Sequence, residues 1–80
     1  MNILEYQVRE HYTLTIDDLD GNSRKIWNWE ILIAENSAER YRGKAYDSVK
    51  GIEIPWAMLT NARKTPYEQM LDKIIAYINE

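Results

Sequence analysis

The sequence predicts an α+β fold: an antiparallel sheet of three to four strands packed on a C-terminal amphipathic helix. Three observations carry this. Apolar residues alternate with period two through the first half of the chain, the mark of half-buried strands. An Asp-Gly pair interrupts that alternation where a hairpin would turn. The last segment then changes to helical spacing behind a capping signature. Strands first and helix last argue for a sheet covered on one face only.

The first strand is read from Leu4, Tyr6 and Val8, followed by Tyr12, Leu14 and Ile16. Glu10 breaks the alternation and predicts a bulge, a bend or a join between two short strands. Residues 17–22 supply the turn around Asp20-Gly21, since both residue types tolerate positive φ. Residues 24–33 form the strongest strand, with Trp27, Trp29, Ile31 and Ile33 on one face and Ile26 and Leu32 on the other. Apolar groups on both faces place it centrally. Residues 35–39 read as a connection, and residues 41–49 as a third strand in which Tyr alternates with basic groups. There Arg42, Lys44 and Tyr46 share a face, with Arg40 beside them, while Tyr41, Gly43 and Ala45 take the other. Gly43 marks a bulge or a close backbone approach.

Residues 51–54 fit a short fourth strand or an extended lead-in, and Pro55 then suits a first helical position. Trp56, Met58, Leu59 and Ala62 fit a short amphipathic helix before the main one. In the final segment Thr65 caps, Pro66 opens the helix and Glu68 completes a capping box. Tyr67, Met70, Leu71, Ile74, Ile75 and Ile78 form its apolar stripe, and the helix is expected from Pro66 to about Asn79.

Composition narrows function mainly by exclusion. The chain has 80 residues, a formal net charge of −3 and no cysteine, so it reads as one domain, 1–80, without thiolate catalysis or disulfides. No run approaches a membrane span, and residues 1–5 lack the basic start of a secretory signal, so a cytoplasmic location is expected, with no membrane partner. His11 is the only histidine, and no nucleophile-elbow pattern surrounds Ser23, Ser37 or Ser48. Asp17, Asp18 and Asp20 cluster at a turn, where Asp ordinarily bonds its own backbone. As a calcium loop from Asp18 they fail, because Ser23 and Trp29 stand where Gly and a bidentate Glu are needed. The three glycines, at 21, 43 and 51, are too scattered to cradle phosphates. No enzyme activity, cofactor or metal is expected.

Two binding roles remain. Three Trp and six Tyr are a heavy load for so small a core, and such residues, with Arg, dominate interface hot spots. A protein partner is therefore expected, with the chain acting as a noncovalent regulator, inhibitor or adaptor of the kind found on phages and mobile elements. Arg40, Arg42, Lys44 and Tyr46 are its candidate partner-binding residues. Trp27, Trp29 and Trp56 are expected in the core, and Tyr41, Tyr46 and Tyr77 toward the surface. The alternative is nucleic acid. Residues 40–80 carry seven bases against five acids, and a strand face bearing Arg42, Lys44 and Tyr46 could follow a phosphate backbone and stack a base. In outline this is similar to AP2-like and integrase N-terminal domains, which present strands to the major groove from a helix-backed sheet. The acidic total departs from that pattern. Two lesser expectations complete the reading: Glu35 and Glu39 joining Asp17, Asp18 and Asp20 in mimicry of phosphates, and a homo-oligomer formed through an exposed sheet edge.

Overall fold

The computed structural model describes residues 3–80, and at Asp20 the backbone only. Four strands form one antiparallel sheet in sequence order: β1 (Tyr6–Asp20), β2 (Ser23–Asn36), β3 (Tyr41–Asp47) and β4 (Ile52–Leu59). The single helix α1 (Pro66–Ile78) lies across one face, chiefly over β3, with β4 and β2 at its flanks. The α+β architecture is as the alternation and capping signals predict. No helix among the described residues is long and apolar enough to cross a membrane.

The core is the seam between α1 and the sheet. Trp29, Ile31 and Ile33 of β2, Ala45 of β3, Leu59 of β4, and Met70 and Ile74 of α1 are all buried. Gly43 lets the helix come this close: a Cβ there would lie 2.8 Å from Met70 Cγ and closer still to its sulfur. The helix begins as expected, with Thr65 and Glu68 forming a reciprocal capping box and Pro66 in the first turn. Tyr77 is half-buried, its ring edge-on to Trp29 at 5.7 Å between centroids, while Ile75 of the expected stripe is 51% exposed.

Several expectations are corrected. Residues 56–62 form no helix; they continue the fourth strand to Leu59 and then turn. Pro55 lies within β4, an edge strand, where a missing N–H is tolerated. The hairpin turn centres on Gly21-Asn22, with Asp20 paired to Ser23 and Gly21 at φ 61°. Gly-first is the pattern of a primed turn, so the turn lies one residue later than Asp-Gly suggested. Tyr41 is half-buried against the core rather than at the surface, as is Tyr77. Trp56 is not in the core at all. The two acidic sets do not meet: Glu35 pairs with Gln7 at one end of the β1–β2 ladder and Asp17 with Ile26 near the other. At 3.3 Å per residue that is a separation of roughly 30 Å, and Asp17 is already held by Arg24 at 2.5 Å. The Asp20 side chain lies outside the described groups.

Two irregularities shape the sheet. On β1 the register shifts between Val8 and Glu10, where Glu10 had predicted a break. On β4 the register shifts opposite Lys44, so that Gly43 faces Ala57 while Ala45 faces Ile54. Each inserts a residue and reverses the side to which later side chains point. In β1, Tyr6 and Val8 consequently occupy the face away from the helix, while Tyr12, Leu14 and Ile16 turn toward it. In β4, Ile52 and Ile54 pack on the core, while Trp56 and Met58 turn away from it.

The connection between β3 and β4 hangs on Asp47. Its carboxylate is 1% exposed and accepts from the backbone N–H groups of Asn28, Val49 and Lys50 at 2.9, 3.0 and 3.1 Å. Burial opposes its charge, but the three N–H groups and nearby Lys50 outweigh that and hold its pKa below the ordinary aspartate value.

Candidate functional site

The face of the sheet opposite α1 has no second layer among the described residues. An apolar corner of that face is created by the two bulges. Val8, Ala34 and Arg42 stand in register across β1, β2 and β3, and Met58 follows on β4. Ala34 is the small member of that row, which lets longer neighbours close over it; it is only 4% exposed. The Arg42 guanidinium carbon lies 4.2 Å from the centre of the Tyr6 ring, a cation–π contact from β3 to β1. Arg42 Nε also donates to the Met58 sulfur at 3.3 Å, and the Tyr6 hydroxyl approaches that sulfur at 3.9 Å. Tyr6, Val8, Ala34, Arg42 and Trp56 line a shallow concavity of about 280 Å³. Trp56 and Met58 remain 43% and 42% exposed beside it.

A polar belt borders this corner. Lys44 pairs with Glu53 of β4 at 3.0 Å, and its Nζ lies 5.9 Å from the Tyr46 ring centre. Glu30 of β2 takes His11 Nε2 at 3.3 Å on one side. On the other it faces Tyr46, where hydrogen bonding to Glu30, then burial and the charge of Glu30, pushes the phenol pKa up. Positive and negative groups therefore alternate along the belt, and each cation named here has an acceptor or a ring beside it.

Of the four residues singled out from sequence, the structure brings three together. Arg42, Lys44 and Tyr46 lie side by side on the open face, as their alternation implies. Arg40 lies apart, in the turn before β3, where its N–H donates to Asn36 Oδ1 at 3.0 Å. It lines a different groove with Tyr41, Asn61, Lys64 and Gln69, beside the start of α1. Sequence reasoning missed Tyr6, Val8, Trp56 and Met58. Their alternation is visible in the sequence, but it gives Tyr6 and Val8 no particular face of β1, and it reads Trp56 and Met58 as part of a short helix.

Comparison with protein-family models, with curated proteins and with solved structures finds no match.

Proposed function

We propose that this chain is a noncatalytic protein-binding module, a regulator, inhibitor or adaptor, and that the open corner around Arg42 and Trp56 is its binding surface. The observation that carries this reading is the half-exposed Trp56–Met58 pair beside a guanidinium already seated on Tyr6. Trp, Tyr, Met and Arg are the residue types enriched where protein partners dock, and they offer contact area at low entropic cost. A guanidinium stacked on an aromatic ring adds a planar hydrogen-bonding edge. An intracellular setting belongs to the same proposal and rests on the cysteine-free composition.

The charge layout favours a protein over a nucleic acid. A phosphate-binding face needs cations free to replace counterions. Here Lys44 is matched by Glu53, Arg42 is committed to Tyr6 and Met58, and Glu30 projects between His11 and Tyr46. Titration with labelled single- and double-stranded oligonucleotides at low salt tests the choice. Weak or absent binding is expected. Micromolar or tighter binding that falls steeply with salt, and is lost on combining Arg42→Glu with Lys44→Glu, would transfer the surface to nucleic acid.

A further inference from the structure

The two outer edges of the sheet are built differently. β4 carries Pro55 and a register shift, both of which obstruct the addition of another strand. β1 has its bulge near one end and then runs in regular register from Glu10 to Asp20 without proline. Its helix-side row, Tyr12, Leu14 and Ile16, is only half-buried, because the backbone of α1 reaches β2, β3 and β4 but not β1. Tyr67 does meet Tyr12, with ring centres 4.5 Å apart. Leu71 and Ile75 continue the row of Tyr67 at four-residue spacing, and Ile75 is half exposed. An unprotected strand edge thus lies beside an apolar row that the chain's own helix does not finish covering.

We infer that β1 is the interface for a second copy of this chain, paired antiparallel about a two-fold axis through Leu14. Opposed residues in an antiparallel pair point to the same side. With Leu14 facing its symmetry mate, Tyr12 faces Ile16 of the second copy on the helix side. Thr13 then faces Thr15, and His11 faces Asp17, on the open side. Tyr opposite Ile, Thr opposite Thr and an imidazole opposite a carboxylate are all favourable cross-strand pairs. Centring the axis on Thr13 or Thr15 instead places His11 opposite Thr15 or Leu19 and loses that imidazole–carboxylate pairing. The pairing adds to the contacts that His11 and Asp17 make within the chain with Glu30 and Arg24. Beyond the pairing, Glu10 and Asp18 face each other as like charges, which confines the ladder to residues 11–17. The product is a continuous eight-stranded sheet with both helices on one side, both open corners on the other, and β4 at each outer edge.

Analytical ultracentrifugation over a concentration series tests this, with a dimer as the expected species. Thr13→Lys combined with Thr15→Lys alters only exposed positions but sets lysines opposite lysines. It should raise the dimer dissociation constant by about tenfold or more and leave the circular dichroism spectrum unchanged. An independent check needs no charge: a mixture of Thr13→Cys and Thr15→Cys chains should cross-link as a heterodimer more readily than either variant alone. A wild-type monomer at hundreds of micromolar overturns the inference. So does a dimer that survives the lysine pair, or cross-linking that is equal in the separate variants and the mixture.

Discussion

Arg42 of β3 reaches over Ala34 to place its guanidinium carbon 4.2 Å from the ring centre of Tyr6 on β1. This contact ties three strands together on the face that the helix leaves uncovered, and it organises the corner proposed to bind a partner.

Truncation at that corner should separate binding from folding. Arg42→Ala, Trp56→Ala and Tyr46→Ala remove exposed or half-exposed groups, and each should keep stability within roughly 1 kcal/mol of wild type by denaturant titration. Arg42→Ala and Trp56→Ala should weaken the partner complex about tenfold or more, near 1.4 kcal/mol. Tyr6→Phe keeps the ring under Arg42 and should retain most affinity, whereas Tyr6→Ala should not.

Much of the fold was legible because local signals agreed with one another. The capping box at Thr65 and Glu68, the Met70–Ile74 stripe, and the grouping of Gly43 with Ala45 on the face opposite Arg42, Lys44 and Tyr46 all stand where their spacing places them. The open corner was not legible, and the reason is parity. Tyr6, Val8, Tyr12, Leu14 and Ile16 hold alternate positions, as do Ile52, Ile54, Trp56 and Met58. An unbroken strand would put each set on one face. A bulge in each strand sends part of each set to the other side, and alternation alone does not locate such a crossing in β4. Pro55 did mark the place, but proline before an apolar run suits a helix start equally well.

Gly43 should resist substitution despite its strand position. A methyl group there meets the buried Met70 side chain and Leu59, so Gly43→Ala should cost about 1–3 kcal/mol through overpacking. Combining it with Met70→Ala should recover part of the alanine cost in a double-mutant cycle.

The centre of the helix stripe should be intolerant of charge. Ile74 is fully buried, and Ile74→Asp places an unpaired carboxylate against Trp29 and its neighbours. Such burial costs several kcal/mol, about the whole stability of a small domain. Loss of the cooperative thermal transition is expected; melting near the wild-type temperature would show that α1 does not pack on the sheet.

Asp47 should give the fold an acid-sensitive element. Its pKa is lowered in the folded state, so its stabilising effect is complete above the ordinary aspartate value. That effect is lost as pH falls from there through the lowered folded pKa. Asp47→Asn should remove this dependence and destabilise by about 1–3 kcal/mol, since an amide cannot accept from Asn28, Val49 and Lys50 together as the carboxylate does. Urea titrations of both proteins across that pH range provide the measurement, and parallel pH profiles would show that Asp47 is not the group responsible.

The most direct test of the open corner is quantitative affinity capture from the native host with three baits: wild type, Trp56→Ser, and Arg63→Ala as an exposed control away from the corner. One protein should be enriched equally by wild type and the Arg63 variant, and lost with Trp56→Ser, while all three baits show the same folded spectrum. Equal enrichment of that protein by all three baits, or nuclease-sensitive capture of nucleic acid in its place, would contradict the assignment of this surface.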